Sequence, residues 1–268
     1  MTTATDPASP VLLDVTGGVA TIVMNRPEAM NSLTVPAKES LLAAVQQVAG
    51  DPSVRALVLT GSGRAFCVGQ DLLEHAALLE AGDPAPLKTV AEHYNPIVTA
   101  LAALPFPTVA ALNGTAAGAG LGLACALDLR VGAAGSRYVT AFAGIGLSAD
   151  SGLSWSLPRL VGAGRATALL LLSEPFTAEQ ALDMGLLNLV VPAEQVLAVA
   201  TELAQRLAAG PTVAYGCLKQ AIAHAATSDL ASALEQEDRL QAVAGQSQDH
   251  RGAVEAFLAK RPPVYAGR

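Results

Sequence analysis

Residues 108–127 read TVAALNGTAAGAGLGLACAL. A short apolar run comes first, then Asn113-Gly114, then small and apolar residues interleaved with Gly118, Gly120 and Gly122. With histidine neutral, no formal charge occurs from residue 93 to residue 127, so by hydropathy the region imitates a membrane span. Pro105, Pro107, Asn113 and the four glycines after it break any such helix. The pattern predicts a strand buried on both faces, a glycine loop and a short apolar helix, all inside an α/β domain.

The flanking sequence repeats this grammar. Residues 55–60, RALVLT, form a second doubly buried strand, and Gly61-Ser62-Gly63 follows as a loop. Residues 11–25 read as two strands around Thr16-Gly17-Gly18, a hairpin signal, and Arg26-Pro27 stops the second. Thr34 and Pro36 start a helix whose apolar stripe is Leu41, Leu42, Val45 and Val48, and Asp51-Pro52 ends it. Asn95-Pro96 opens another helix, and residues 128–131 and 137–142 read as further strands. Strand, loop and helix recur at varying lengths, which fits neither a symmetric barrel nor a dinucleotide fold. After Pro192 the texture changes: residues 194–209, 211–225, 229–245 and 249–260 all read as helices. A boundary is expected near residues 192–201, dividing a core of residues 1–196 from a helical region of residues 197–268. Such a tail has little core of its own and must pack on the first part or on a neighbouring subunit.

Composition narrows the function. The 268 residues are 51 % hydrophobic and 15 % charged, which excludes disorder and favours buried subunit contacts. A net charge of −7 and no basic run make a poor nucleic-acid binder. Cys67, Cys125 and Cys217 are odd in number and lack CxxC spacing, as expected of reduced thiols in a cytoplasmic protein. The four histidines form no HxxxH or HExxH pattern, so no metal site is indicated. The opening MTTATDPASP lacks the basic-then-apolar order of a secretory leader.

Three segments carry candidate chemistry. Glycines at 114, 118, 120 and 122 let backbone approach a ligand and expose N–H groups at a helix start, which favours a negative oxygen. The same glycines also suit tight helix–strand packing. In residues 65–72, AFCVGQDL, Cys67 is a possible nucleophile but more simply a small buried hydrophobe, and Asp71 a helix N-cap. Between Tyr138 and Leu160 the only formally charged side chains are Asp150 and Arg159. A carboxylate facing an apolar pocket becomes a better base near neutral pH, whereas Asp150-Ser151-Gly152 by spacing alone suits a solvent turn.

Taken together, the chain resembles the crotonase (enoyl-CoA hydratase/isomerase) superfamily. The matching marks are Asn25-Arg26-Pro27-Glu28-Ala29 with Asn31-Ser32-Leu33, then residues 63–72, GRAFCVGQDL, and 113–120, NGTAAGAG. Residues 157–162, LPRLVG, Ala178-Glu179-Gln180-Ala181 with Gly185-Leu186, and residues 257–261, FLAKR, complete the set in the family's order. The resemblance implies an α/β spiral of ββα units (ClpP-like), a helical C-terminal trimerisation region, and homotrimers or dimers of trimers that bind coenzyme A thioesters. No permanent cofactor is implied, because coenzyme A arrives as part of the substrate.

The family polarises its thioester carbonyl with two backbone N–H groups, which map to Gln70 and Ala119. Each such donor lowers a barrier by about 3 kcal/mol, so the backbone position of Gln70 should matter more than its side chain. Enoyl-CoA hydratases use two glutamates to handle water; the matching positions here are Gly122 and Phe142, neither of which moves a proton. Asp150 falls where other members place a single aspartate, among them ring-epoxide isomerases of phenylacetate breakdown, Δ3,Δ2-enoyl-CoA isomerases and the chlorobenzoyl-CoA dehalogenase type. Tyr94-Asn95-Pro96 and Lys219-Gln220-Ala221-Ile222 favour the phenylacetate-type isomerase. By the same resemblance, coenzyme A lies across Arg26, Ala29, Ala65, Val68, Asp71 and Leu72. Phe257 and Lys260 close its nucleotide end, and Thr115, Gly118, Phe142 and Ser148 surround the acyl group. The expected activity is acyl-CoA isomerisation by one aspartate. Alternatives are atypical hydration, an aspartate nucleophile, for which Trp155 would suit an aryl substrate, and non-catalytic thioester binding.

Overall fold

The computed structural model describes Asp6 and residues 8–268. The expectation of no leader in the first ten residues falls mainly outside that set.

The hairpin forms as the glycines require. Strands β1 (Val11–Thr16) and β2 (Val19–Met24) pair antiparallel across a two-residue turn. Gly17 and Gly18 both hold positive φ, 60° and 81°, the left-handed backbone that a tight hairpin needs. Helix α1 (Val35–Gly50) starts where Thr34 Oγ1 accepts the Ala37 N–H, and it buries Leu41, Val45 and Val48 as its stripe predicts.

From there the chain repeats strand, strand, helix. Strands β3 (Ala56–Gly61) and β4 (Ala65–Cys67) lead to α2 (Leu72–Glu80); a π-helical turn (Val90–Tyr94) runs into α3 (Asn95–Ala102). Strands β5 (Thr108–Leu112) and β6 (Thr115–Ala117) lead to α4 (Ala119–Cys125). Strands β7 (Leu129–Ala133) and β8 (Arg137–Val139) lead to α5 (Leu153–Val161) and α6 (Ala163–Leu172). The first strand of each unit joins one sheet and the second joins another. With β9 (Phe176–Thr177) and β10 (Leu189–Val191), which flank α7 (Ala178–Asp183), the sheets run β1-β2-β3-β5-β7-β10 and β4-β6-β8-β9. Pairs within β2-β3-β5-β7-β10 are parallel, as crossover connections demand. This is the expected spiral of ββα units.

Alternation along the buried strands makes two cores. Leu57, Leu59, Ala110 and Leu112 face a large cluster with α1, α3 and α4. Ala56, Val58, Val109 and Ala111 face the other way, onto Val196, Ala200, Ala204 and Ala208 of α8 (Val196–Ala208). Those four residues recur every fourth position, and the three alanines let the helix lie close on the sheet. Arg130 is buried at the end of α4 without a carboxylate; it donates to the carbonyls of Ala124, Leu127, Asp128 and Leu186 instead.

Helices α9 (Thr212–Ala225), α10 (Leu230–Gly245) and α11 (Gln248–Leu258) follow. They keep Leu218, Ile222, Leu234, Val243 and Phe257 largely exposed. One strand expectation is corrected. The strand read over residues 137–142 ends at Val139, because Ala141 takes φ 65° and the Phe142 N–H bonds back to the Thr140 carbonyl. That tight γ-turn removes Phe142 from the sheet and places it on a cleft wall. Among the described residues no helix is long and apolar enough to cross a membrane.

Candidate active site

The β4 end is held by side-chain clamps. Asn31 Nδ2 donates to the carbonyls of Ser62, Ala65 and Phe66, and Asn113 Nδ2 donates to those of Gly63 and Ala65. Past the clamp, Leu33 N–H bonds to the Gly69 carbonyl (2.7 Å), and Asp71 N–H bonds to the Leu33 carbonyl (3.2 Å). This parallel bridge uses the groups on either side of Gln70, so the N–H of Gln70 itself faces away from Leu33. Asp71 then caps α2 by accepting from the Leu73 and Glu74 N–H groups. Burial works against its charge, yet bonds from Ser32 and Arg26 outweigh that and hold the carboxyl below its usual range.

Gly69 lies against the second loop. Its φ is 86°, and a Cβ built on it would come 3.0 Å from the Ala117 oxygen and 3.1 Å from the Ala119 nitrogen. Only glycine permits this approach of β4 to the start of α4. Ala119 is the first residue of α4, behind Gly118, which has φ 51°. Among the described residues, neither the Gln70 N–H nor the Ala119 N–H has a protein acceptor. Two free donors on adjoining loops can bind an oxygen that gains negative charge.

Asp150 completes a cleft with them. The walls include Val68, Gln70, Leu72, Gly118, Ala119, Phe142, Leu147 and Asp150. Asp150 is half-buried, and burial raises its carboxyl above the usual range, offset in part by the Ser151 hydroxyl at 2.8 Å and the positive charge of Lys38. A carboxylate so placed is a stronger base than one in water. Among the described residues it is the one Asp or Glu on the cleft walls. Trp155 is outside: it is 51 % exposed on α5 and stacks on Arg159 at 4.1 Å, which removes the aromatic support for an aryl nucleophile reaction. Cys67 is also no nucleophile, since burial pushes its thiol up to about 12.

The remaining expected residues divide. Arg26 Nη1 binds the Ser32 carbonyl and Asp71, beside Ala29 in the short helical turn Pro27–Ala29. Ala65 is buried in β4, and Thr115 pairs with it in β6. Ser148 is exposed, and neither Thr115 nor Ser148 belongs to the cleft walls. Phe257, 81 % exposed at the end of α11, and Lys260 lie apart from these walls.

Further cleft residues come from α2 and the segment after it: His75 lies on α2, and Leu87, Thr89, Val90 and Tyr94 follow it. Behind them is a buried lysine. Lys38 Nζ donates to Thr89 Oγ1 (2.6 Å) and Gln70 Oε1 (3.0 Å), and the Tyr94 hydroxyl donates to the same Gln70 oxygen (2.8 Å). A signal was present: position 38 continues the stripe 41, 45, 48 toward the helix start, so its side chain had to point inward. A larger hollow of about 630 Å³ between α9 and α10 shares no residue with the cleft.

The chain has clear relatives among known proteins. The enoyl-CoA hydratase/isomerase family profile matches residues 14–268. The chain is 42 % identical over 260 residues to the 1,2-epoxyphenylacetyl-CoA isomerase of Escherichia coli K12, covering 96 % of this chain and 98 % of that one. It is also 42 % identical over 256 residues to a "Probable enoyl-CoA hydratase" of Rhodobacter capsulatus, covering 95 % and 97 %. The crystal structure of an enoyl-CoA hydratase/isomerase candidate from Mycobacterium abscessus superposes with a TM-score of 0.94 at 47 % identity, covering 96 % of this chain and all of that one. With the family profile matching residues 14–268 and a relative 42 % identical over nearly the whole length, the chain belongs to the enoyl-CoA hydratase/isomerase family, which implies a coenzyme A thioester substrate.

Proposed function

We propose that this chain is an acyl-CoA isomerase in which Asp150 moves the proton and the backbone N–H groups of Gln70 and Ala119 hold the thioester enolate. The observation that carries this is that, among the described residues, the cleft walls hold one carboxylate together with two backbone N–H groups that have no protein acceptor. Asp150 takes a proton from the α-carbon, and the electron pair moves onto the thioester oxygen. Returned to the γ-carbon, the same proton completes a double-bond shift; alternatively the enolate drives opening of a ring epoxide. One base on one face suffices for a 1,3 transfer, and a positioned base contributes about 10²–10⁴-fold.

Gly122 argues against water chemistry of the two-glutamate kind. A Cβ there would meet Ser151 Cβ at 2.7 Å and the Ser151 oxygen at 2.8 Å, so α4 has no room for a second acid. Phe142, at the other position, is apolar. Coenzyme A is proposed to run from the loop of Arg26 and Ala29 over Ala65, Val68, Asp71 and Leu72. Nη1 of Arg26 is engaged by Ser32 and Asp71, and the rest of its guanidinium is proposed to meet the phosphates of coenzyme A. Gly118 and Phe142, both on the cleft walls, are proposed to flank the acyl group. The exposed apolar residues of α9–α11 support a homotrimer or dimer of trimers assembled through residues 197–268, with Phe257 and Lys260 closing the nucleotide end. Buried free cysteines suit a cytoplasmic setting.

The test is a pair of ultraviolet assays on wild type and Asp150→Asn. With a 3-enoyl-CoA, the conjugated 2-enoyl product should form in wild type and fall by at least about 100-fold in the variant. With crotonyl-CoA, loss of conjugation by hydration should be negligible. Fast hydration that survives the substitution would refute the isomerase assignment.

A further inference from the structure

Lys38 is a charge in a place that disfavours charge. Its side chain is 0 % exposed, and burial lowers its basicity. The nearest carboxylate, Glu74, is 3.7 Å away and partly exposed, while the closer partners, Gln70 and Thr89, are neutral. The Tyr94 ring centroid lies 5.1 Å from Nζ. Burying an ammonium with one carboxylate at 3.7 Å and otherwise neutral hydrogen-bond partners is costly, and an apolar side chain of the same length fills such a space at least as well.

The neighbours do not need Lys38 for their own hydrogen bonds. Without it, Gln70 Oε1 keeps the Tyr94 hydroxyl, Thr89 Oγ1 keeps His93 Nδ1, and Glu74 keeps the Val35 N–H. A structural explanation therefore fails, because removing the lysine orphans no partner. What the lysine does have is position. It bonds the side chains of Gln70 and Thr89, two residues that line the same cleft as Asp150, so its charge acts on that cleft from behind.

We propose that Lys38 is a positioning residue: its ammonium fixes Gln70 from behind the enolate site and supplies the positive charge that favours anions at the thioester oxygen and at Asp150. This rests on the roles given above to Gln70 and Asp150. The charged or titratable groups facing Lys38 are Glu74 and Asp71 at the start of α2, Tyr94 and, through Thr89, His93 on the turn before α3, and Asp150 before α5. Asp150 in turn faces Lys38 and Tyr94.

Lys38→Met removes charge and grip at nearly constant volume, and Lys38→Gln keeps a donor but no charge, which covers the case in which the first variant does not fold. Two readouts apply. Carbon-13 NMR of the Asp150 carboxyl in the ligand-free protein should show its titration moved to higher pH in both variants, because loss of a nearby cation disfavours the carboxylate. On the 3-enoyl-CoA, kcat should fall on the order of tenfold with KM changed less than about twofold, and the acid limb should move the same way. An unmoved Asp150 titration in a folded variant overturns the proposal. Wild type that turns over no thioester would instead overturn the isomerase assignment, and the NMR titration would still decide the role of Lys38.

Discussion

Gly122→Ala is the sharpest probe of the contact between α4 and the Asp150 loop. The added methyl carbon would lie 2.7 Å from Ser151 Cβ and 2.8 Å from the Ser151 oxygen. Neither atom can swing aside as the end of a flexible side chain could. Ser151 is buried, sits at φ 51°, and is followed by Gly152 at φ 70°, so its backbone has little freedom to retreat. Overpacking of this kind costs about 1–3 kcal/mol, and the better helix propensity of alanine returns about 1 kcal/mol. A net loss of about 0–2 kcal/mol corresponds to a fall in Tm of up to roughly 4–8 °C for a chain of this size. The catalytic loss should be larger than that stability loss implies. Ser151 carries the hydroxyl bonded to Asp150 at 2.8 Å, and a displacement near 1 Å of a reacting group costs about 100-fold in rate. Thermal unfolding and the 3-enoyl-CoA assay on the same preparation measure both. A variant with unchanged Tm and kcat within about twofold of wild type would show that α4 and Ser151 are not in rigid contact, and the account of why a hydratase-type glutamate is missing at this position would fall with it.

Two further outcomes follow from the same loops. Gly69→Ala forces a side chain into φ 86° and against Ala117 and Ala119, so both donors move; kcat should drop about 10²–10³-fold while far-ultraviolet circular dichroism stays that of a folded chain, and an active Gly69→Ala would contradict the assignment of the donors. Asp71 is held below the usual carboxyl range, so the stability it contributes is present above its unfolded value of about 3.9 and is lost as pH falls through its lower folded value. Asp71→Asn should therefore lower Tm at neutral pH and flatten the acid side of the Tm–pH curve, and an unchanged acid slope would mean that the Ser32–Arg26–Asp71 cluster does not couple to folding.

Much of the fold is legible in the sequence because its signals are local. Gly17-Gly18, Thr34 with Pro36, and the doubly buried runs at residues 56–61 and 108–112 each declare a backbone conformation or a burial pattern within a few residues. The four late helices follow from periodicity to within a few residues at their ends. The short strands β9 and β10 give no such signal, since two or three residues hold no period and exist only by pairing with β8 and β7. The γ-turn at Ala141 is equally silent, because alanine does not ordinarily advertise a positive φ.

By itself the sequence determined the strand–loop–helix order, the glycine loops, the isolation of Asp150 among apolar neighbours and the absence of acids at residues 122 and 142. Only the tertiary structure brings Gln70, Ala119 and Asp150 to the walls of one cleft, leaves the Gln70 and Ala119 N–H groups without a protein acceptor among the described residues, and buries Lys38 against the Gln70 side chain. The reason is the range of the forces involved. Turn and helix signals act through the dihedral angles of adjacent residues, whereas the cleft is assembled from the loop after β4, α2, the π-helical turn, the start of α4 and the segment from Ala141 to Asp150. Those segments meet only after the parallel pairing of β3, β5 and β7 has set their register, and no local pattern encodes the field that a residue at position 38 exerts on one at position 150.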